Sequence, residues 1–382
     1  MRRDPEALKT ALADIEQRHL RRSRRVGLGA GVVNFCSNDY LGLSVHPEVI
    51  RAFQEAASKH GVGSGASHLV TGHGPEHEAL ENELAAFTGR EKALVFSTGY
   101  MANMGVIGAL ADQTATIVSD KLNHASLIDG CRLTRAHSLR YRHGDADHAH
   151  EHLEELDESI ESRLLVTDGV FSMDGDLAPL PDLARAAREA RAWLIVDDAH
   201  GLGVVGSSGR GVCEHFNLSA QDVPVLVGTF GKAFGTFGAF VAGDSDLIEY
   251  LIQKSRPYTY TTALPPAVAA ATRAALRVSQ RESWRREKVL ALAERFRRGL
   301  GDVFPDSRPG TAIQPVIVGE TQRALAISRA LEEKGFLVMA IRPPTVPAGT
   351  ARLRVTLSAA HEESQVDALV AAFREALAHE FA

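Results

Sequence analysis

A lysine surrounded by small residues is the first feature of this sequence that could carry out chemistry. Lys232 lies in the segment Thr229–Gly235, which directly follows the apolar run Pro224–Val227. Open α/β sheets bind ligands beyond the carboxyl ends of their strands, and the small neighbours leave room for an aldehyde carbon to approach the amine. This placement suits a lysine that forms a Schiff base. It would equally suit a surface lysine in a glycine loop.

Two acids and a histidine end another apolar run. Asp197, Asp198 and His200 follow Leu194–Val196. A carboxylate beside a ring nitrogen keeps that nitrogen protonated and makes the ring an electron sink. Because successive residues of a strand face opposite sides, only one of the two acids can take this position, and the spacing does not choose between them. A metal site or a helix cap would also use such acids.

A glycine pattern after these acids imitates a dinucleotide-binding fingerprint. Gly201–Gly206 matches GxGxxG, but that fingerprint must open a helix. The next residues, Ser207–Gly211, break a helix, and the acids precede the glycines. The segment therefore argues against a nicotinamide site.

Three further segments place polar groups after three other apolar runs. Gly99 and Tyr100 open a helical stretch, where backbone N–H groups can hold a phosphate or simply begin a capped helix. His124 can stack on a flat ring, although a lone histidine is more often an ordinary polar residue. Ser172 can bind a ligand or cap a turn. All five segments lie beyond the carboxyl ends of different predicted strands, so we expect them to form one site.

Short apolar runs that alternate with helical stretches position these residues. The candidate strands are Ala93–Phe96, Thr116–Ser119, Leu164–Thr167, Leu194–Val196, Val225–Val227 and Ala239–Ala242. Their continuous apolar character predicts strands buried on both faces of a mostly parallel sheet with crossover helices. Pro75–Phe87 and Pro181–Ala192 each begin with proline and carry apolar residues at helical spacing, which predicts two of these helices.

The remainder of the chain predicts an N-terminal arm and a smaller α+β domain. Its candidate elements are strands at Val32–Phe35, Gln314–Val318, Leu337–Ala340 and Leu353–Leu357, and a helix at Thr321–Lys334. We therefore expect an arm over residues 1–48, a large domain over residues 49–280 and a small domain over residues 281–382.

The composition of the chain argues against several functions. The 382 residues carry a formal net charge of -6, which argues against wholesale attraction to nucleic acid. No stretch approaches the roughly 20 apolar residues of a membrane span, and the first residues lack the apolar core of a signal peptide. We therefore expect a cytoplasmic protein with no membrane partner. Cys36, Cys131 and Cys213 are widely spaced, which favours free structural thiols over zinc binding or redox exchange.

The sequence resembles the α-oxoamine synthases, a family within the fold type I pyridoxal-phosphate enzymes. The likeness extends from Asn38–Leu43 to Arg352–Arg354 and so covers nearly the whole chain. The resemblance implies an α/β fold with a mostly parallel central sheet flanked by helices, a smaller α+β C-terminal domain and an N-terminal arm. It also implies pyridoxal 5'-phosphate as the cofactor, a homodimer with shared active sites, and decarboxylative joining of an amino acid to an acyl thioester.

Residue by residue, the resemblance implies catalytic roles for Lys232, Asp197 and His124. Lys232 matches the Schiff-base lysine, Asp197 the partner of the ring nitrogen, and His124 the residue stacked on the ring. The remaining matches are Ser172 and His200 to the ring hydroxyl, Gly99, Tyr100 and Thr229 to the phosphate, Asn38 and Arg342 to the substrate carboxylate, and Arg21 and Thr345 to the acyl substrate. No metal is implied.

The segment Ala340–Thr350, with its double proline Pro343-Pro344, favours one branch of the family. It is similar to the branch that joins L-alanine to a pimeloyl group carried by coenzyme A or by an acyl carrier protein. A sister synthase that uses glycine or serine with another acyl thioester is one alternative. A non-catalytic, cofactor-binding regulatory subunit is another.

Two polar clusters have open interpretations. The match of Arg21 competes with Arg22, Arg24 and Arg25, because the segment that follows them is shorter than the family pattern. These arginines suit the phosphates of an acyl carrier, or a solvated basic helix end. A second cluster is interpreted as surface histidines rather than a metal site and consists of His143, His148, His150 and His152.

Overall fold

A computed structural model describes residues 4–18, 20–27, 29, 31–301 and 310–380 of the protein. The helices are α1 (Pro5–Gln17), α2 (Pro47–His60), α3 (Pro75–Thr88), α4 (Gly99–Leu110), α5 (Ala125–Thr134), α6 (Ala146–Glu154), α7 (Leu180–Glu189), α8 (Val212–His215), α9 (Ser245–Lys254), α10 (Arg256–Thr259), α11 (Pro266–Arg281), α12 (Trp284–Leu300), α13 (Thr321–Glu333) and α14 (Glu363–Glu380), with a π-helical turn at His68–Gly72. The strands are β1 (Val33–Asn34), β2 (Lys92–Phe96), β3 (Thr116–Asp120), β4 (His137–Tyr141), β5 (Arg163–Asp168), β6 (Trp193–Asp197), β7 (Val225–Thr229), β8 (Ala239–Gly243), β9 (Ile313–Gly319), β10 (Phe336–Leu337), β11 (Met339–Ile341) and β12 (Ala351–Thr356).

The chain divides into two compact units. The terminal unit comprises Met1–Ser37, Ala291–Leu357 and His361–Ala382, and the sheet unit comprises Asn38–Leu290 and Ser358–Ala360. The arm, large domain and small domain expected from the sequence stay a prediction. Among the described helices, none combines the length and the apolar composition needed to cross a bilayer.

The sheet unit contains a seven-stranded sheet in the order β2-β8-β7-β6-β5-β3-β4. Neighbouring strands pair in parallel except β8, which is antiparallel to both β2 and β7. Two antiparallel steps restore the direction, so β2 runs the same way as β7. All of the strands predicted from apolar runs in this region are present. The mostly parallel α/β architecture is therefore confirmed.

Apolar side chains on both sides of the central strands explain why these runs form the middle of the sheet. In β6 and β7, Ile195 and Val225 on one face and Leu194 and Leu226 on the other are all buried. Val106 of α4, Leu127 of α5 and Leu251 of α9 belong to the same buried cluster as Ile195 and Val225. Burial of each such side chain contributes about 1.5–3 kcal/mol relative to exposure. Because β2, β3, β5, β6 and β7 run in the same direction, their carboxyl ends lie at one edge of the sheet, which we name the carboxyl edge.

Two local predictions differ from the structure. The edge strand His137–Tyr141 was not predicted, because only Tyr141 in it is buried and no apolar run marks it. Polar residues are tolerated in a strand that has a neighbour on one side only. Helix α7 ends at Glu189, before the predicted Ala192, because Arg191 has a positive φ of 53°.

The terminal unit contains a three-stranded antiparallel sheet in the order β11-β12-β9 and a separate parallel pair, β1 with β10. The single strand predicted at Leu337–Ala340 is replaced by β10 and β11, which join different sheets. The chain changes partner at Val338, which is fully buried between them. The predicted strands at Val32–Phe35, Gln314–Val318 and Leu353–Leu357 and the predicted helix at Thr321–Lys334 are present with small shifts of their ends.

Candidate active site

The loop that carries Lys232 connects β7 to β8 as a hairpin. The backbone N–H of Phe230 and the hydroxyl of Thr229 both donate to the carbonyl of Gly238, each at 2.9 Å. Gly235 has a φ of +65°, and a Cβ there would lie 2.3 Å from a backbone nitrogen, so only glycine fits. The half-buried Lys232 side chain therefore projects from a loop whose two ends are fixed by neighbouring strands.

Asp197 ends β6 as a buried carboxylate with defined partners. It is 6% exposed. Its Oδ2 accepts a hydrogen bond of 2.6 Å from the amide of Asn103, and its Oδ1 accepts one of 3.0 Å from the N–H of Ala199. Asn103, in α4, also donates to the hydroxyl of Ser126 at 2.9 Å. These donors fix the orientation of the carboxylate, as a group that must face a ring nitrogen requires.

The neighbouring acid Asp198 has different surroundings. Its Oδ2 accepts a hydrogen bond of 2.8 Å from the N–H of Val212. A Cβ on Gly201 or on Gly211 would lie within 2.0 Å of an Asp198 oxygen, so the carboxyl group fills the space between these glycines. Burial raises the pKa of Asp198 well above its usual range. Asp198 thus closes the turns of the glycine-rich segment, which does not open a helix at Gly201–Gly206.

His124 caps the N-terminus of α5 and shares its surroundings with the other ionisable groups. Its Nδ1 lies 2.7 Å from the hydroxyl of Ser126, and its backbone N–H donates to Asp168 at 2.6 Å. Burial lowers the pKa of His124, the Asp197 carboxylate opposes this effect, and the Lys232 amine adds to it. The imidazole is therefore neutral at pH 7 and suits contact with the face of an aromatic ring.

The start of α4 adjoins the end of β7 and forms a candidate anion cradle. The hydroxyl of Thr98 caps α4 by accepting one backbone N–H at 3.2 Å. A Cβ on Gly99 would lie 3.9 Å from the Cβ of Thr229, so the two segments are neighbours. The remaining N–H groups and the positive end of the helix dipole favour a phosphate here. Tyr100 is partly exposed, and its hydroxyl donates to Asp129.

His200 and Ser172 lie in loops at the same edge. His200 is buried, and its Nδ1 lies 2.5 Å from the hydroxyl of Tyr40, which is also 3.3 Å from Oδ1 of Asn38. Ser172 lies half-buried in the turn Phe171–Asp176, which a backbone hydrogen bond of 3.0 Å closes. The structure thus joins Asn38, an expected substrate residue, to the Tyr40–His200 pair.

The other expected substrate residues belong to the terminal unit. Arg342 donates to the backbone carbonyl of Arg21 at 2.8 Å, and Arg22 donates to the hydroxyl of Thr345 at 3.2 Å. The guanidinium of Arg21 forms an exposed ion pair of 2.6 Å with Glu16. The side chain that contacts Thr345 is therefore that of Arg22, and Arg21 approaches Arg342 through its backbone. The substrate contacts of these residues stay predictions.

Sequence reasoning missed three residues at the carboxyl edge: Tyr40, Asn103 and Asp168. Asn103 is the polar member of the buried stretch of α4, and that position in an apolar helix was its signal. Asp168 ends β5 and pairs in register with Asp197. Burial and the nearby Asp197 raise the pKa of Asp168 well above its usual range. An acid that ends an apolar strand is the same signal that marks Asp197.

His143 is more enclosed than its interpretation as a surface histidine implies. Its side chain is 25% exposed, with Nδ1 lying 3.1 Å from Asp120 and Nε2 lying 2.9 Å from Asp176. Burial alone would lower the pKa of His143, but hydrogen bonds to the two carboxylates raise it to about 10. His150 faces two exposed acids, Glu154 at 3.1 Å and Glu189 at 3.8 Å.

Known proteins resemble the chain along nearly its whole length. The family described as Aminotransferase class I and II matches residues 30–373. The 8-amino-7-oxononanoate synthase of Methylococcus capsulatus is 58% identical over 97% of this chain and 98% of its own. That of Alkalilimnicola ehrlichii is 59% identical over 91% of this chain and 89% of its own.

Two solved structures have a similar fold. The serine palmitoyltransferase of Sphingomonas wittichii has a TM-score of 0.90 and 32% identity, over 98% of this chain and 97% of its own. The 8-amino-7-oxononanoate synthase of Francisella tularensis has a TM-score of 0.80 and 30% identity, over 92% of this chain and 99% of its own.

Proposed function

We propose that this chain, which belongs to the aminotransferase class I and II family and within it to the 8-amino-7-oxononanoate synthases, joins L-alanine to a pimeloyl thioester with release of carbon dioxide and thiol. It is a pyridoxal-phosphate-dependent acyltransferase of biotin biosynthesis. The observation that carries the residue assignments is the Asp197 carboxylate, which is oriented by Asn103 and lies within electrostatic reach of His124.

The residues of the carboxyl edge fit pyridoxal phosphate. Asp197 is a buried acceptor suited to a protonated ring nitrogen, and the neutral His124 suits the ring face. The helix start at Gly99 and the adjoining Thr229 would hold the phosphate. Bound pyridoxal phosphate supplies an electron sink for negative charge that develops at the substrate Cα.

The protein's own groups would control protons around this sink. Asp197 keeps a proton on the ring nitrogen, because a nearby ionised carboxylate favours the charged ring. Lys232 takes a proton from the Cα of L-alanine and later returns one to the same carbon. The hairpin fixes the backbone at both ends of the loop that carries Lys232, and a base with a fixed attachment point favours efficient proton transfer. His200 and Ser172 would bind the ring hydroxyl, and Tyr40 holds His200.

Arginines would bind the substrates. The guanidinium of Arg342 suits a bidentate hydrogen bond to the carboxylate of L-alanine, with Asn38 as a further contact. Thr345, together with Arg21 or Arg22, would contact the pimeloyl thioester. A cluster of arginines suits the phosphates of coenzyme A or of a carrier-protein arm equally well.

Thiol release from pimeloyl-coenzyme A tests the proposal. The rate of thiol release by purified protein loaded with pyridoxal phosphate is measured with L-alanine, with glycine and with L-serine. The Lys232→Ala variant serves as the blank. Release that requires both L-alanine and Lys232 is expected. Release with L-serine or glycine instead of L-alanine would assign the sister reaction. These two amino acids are included because a serine palmitoyltransferase has a similar fold. Tight cofactor binding without thiol release from pimeloyl-coenzyme A, or from pimeloyl acyl carrier protein in a parallel assay, would indicate a non-catalytic subunit.

A homodimer with shared active sites is part of the proposal. The support is membership of the family, and the measurement is static light scattering at assay concentration. A particle of two chains is expected. Full activity from a particle of one chain would contradict the shared site.

A further inference from the structure

His143 lies between two loops of the carboxyl edge, and the first of them follows β3. Asp120 ends β3 and is 1% exposed. Its Oδ1 accepts from the N–H of Leu122 at 2.7 Å, and its Oδ2 accepts from the N–H of Gly144 at 2.9 Å. Asp120 therefore fixes the start of the loop that leads to His124. The same carboxylate faces Nδ1 of His143 at 3.1 Å.

The second loop follows β5 and contains Ser172. Nε2 of His143 faces Oδ2 of Asp176 at 2.9 Å. The turn is closed by the N–H of Phe171, which donates to the Asp176 carbonyl at 3.0 Å, and by the N–H of Gly175, which donates to the Phe171 carbonyl at 2.8 Å. The Phe171 ring meets the His143 ring edge-on, with centroids 4.4 Å apart. His143 thus holds the turn through both a carboxylate and a ring.

The charge state of His143 follows from its partners. An ionised carboxylate only accepts hydrogen bonds, and an imidazole donates from both nitrogens only when it is protonated. The two contacts of His143 therefore require the imidazolium form, and both are charge-assisted hydrogen bonds, which are stronger than neutral ones. The pKa of His143, raised to about 10, agrees with this state at neutral pH.

We propose that His143 is a positioning residue for the condensation: as an imidazolium, it joins Asp120 to Asp176 and so holds His124 and Ser172 at the cofactor ring. We name the three charged residues the clamp. The inference rests on the proposed function, because it takes His124 and Ser172 as contacts to the ring. His143 acts through these two residues rather than on the substrate.

The test compares His143→Gln with His150→Gln. Glutamine cannot carry the positive charge that bridges two carboxylates. His150 lies in the same polar region, but the acids it pairs with, Glu154 and Glu189, are both exposed and lie outside the loops of the carboxyl edge. Apoprotein of each variant is titrated with pyridoxal phosphate, the absorption spectrum of the bound cofactor is recorded, and kcat and KM are measured. In His143→Gln we expect weaker cofactor binding, a shifted spectrum and a kcat lowered by up to about a hundredfold. The KM for pimeloyl-coenzyme A should be unchanged, and His150→Gln should match the unmodified protein.

A wild-type spectrum and kcat for His143→Gln at saturating cofactor would overturn the proposal, even if the variant unfolds at a lower temperature. If that variant is insoluble, Asp176→Asn is used, which removes one charge of the clamp at constant size and should show the same changes to a smaller degree. The cofactor titration does not depend on turnover. Unmodified protein that releases no thiol would therefore reject the proposed function, while the titration and the spectrum would still decide whether His143 positions the ring contacts.

Discussion

The carboxyl edge of the sheet unit and the arginine-rich part of the terminal unit carry the two halves of the proposed chemistry, and they differ in construction. At the edge, Asp197 is 6% exposed and is held by a buried amide and a backbone N–H. In the terminal unit, the side chains of Arg21 and Glu16 are 60% and 63% exposed. Exposed ion pairs of this kind contribute about 0–1 kcal/mol. The difference teaches that turnover should depend on single residues at the edge and on the sum of several arginines in the terminal unit.

The largest expected effect is that of Lys232→Ala. Removal of the amine takes away the proposed proton acceptor, so kcat should fall by about 10²-fold to 10⁴-fold or more, while the cofactor can still bind non-covalently. Alanine-dependent thiol release and cofactor absorbance are the measurements. Lys254→Ala, at an exposed lysine of α9, is the control. Retained turnover in Lys232→Ala would show that the carboxyl edge is not the catalytic site.

A matched pair of neighbouring acids sharpens the comparison within the edge. Asp197→Asn should lower kcat by about 10²-fold or more, because the amide no longer holds a proton on the ring nitrogen. Asp198→Asn should leave kcat close to wild type, because its oxygen can still accept from the N–H of Val212. Steady-state kinetics at saturating cofactor decide. The reverse ranking would transfer the role to Asp198.

Single arginine substitutions in the terminal unit should have smaller effects. Arg22→Ala removes the contact to Thr345 and should raise the KM for pimeloyl-coenzyme A by about fivefold, which corresponds to about 1 kcal/mol. Arg21→Ala should do less, because its backbone carbonyl, which accepts from Arg342, is kept. Both effects should weaken at high salt, where exposed charges are screened. A hundredfold loss of kcat in either variant would show that this region is as specific as the edge.

The last expected effect concerns stability rather than turnover, and it is a pH dependence of the free energy of unfolding at the clamp. The pKa of His143 is raised in the folded protein to about 10, above the value near 6.5 of an unfolded histidine. Its contribution to the free energy of unfolding is therefore fully present below about pH 6.5 and is lost as the pH rises through about 10. The free energies of unfolding of wild type and His143→Gln, measured in urea, should become equal as the pH rises over this range. The difference between wild type and His150→Gln should show no such trend. A stability difference that stays constant with pH would contradict the imidazolium.

Strands were predictable where apolar side chains cover both faces. The runs at Leu164–Thr167 and Leu194–Val196 are short and continuously apolar, as strands buried on both faces are, and the polar groups that follow them had to share an edge. The strand His137–Tyr141 was not predictable in this way, because most of its side chains face solvent and leave no pattern. The positions of the site residues therefore followed from the buried part of the sheet.

The contacts between side chains were less predictable than their positions. Nothing in the local sequence distinguishes His143 from His150, since both stand among acids, and only the folded chain brings Asp176 to the first of them. The orientation of Asp197 by Asn103 is likewise a contact between residues 94 positions apart. Such pairs depend on the tertiary packing of helix against sheet, which periodicity alone does not specify.

The reversal of β8 has a consequence for engineering this enzyme. Since β7 and β8 are neighbours in register, the nine residues between Thr229 and Ala239 form a closed insert whose ends are already paired. Phe230 of the insert is buried and stacks on Phe240 of β8, with ring centroids 5.7 Å apart, so only a library confined to the exposed residues of the insert would leave the paired strands unchanged. Such a library must keep Lys232, which carries the proposed proton transfer, and it must keep Gly235, because every other amino acid would displace the backbone that lies 2.3 Å from its missing side chain.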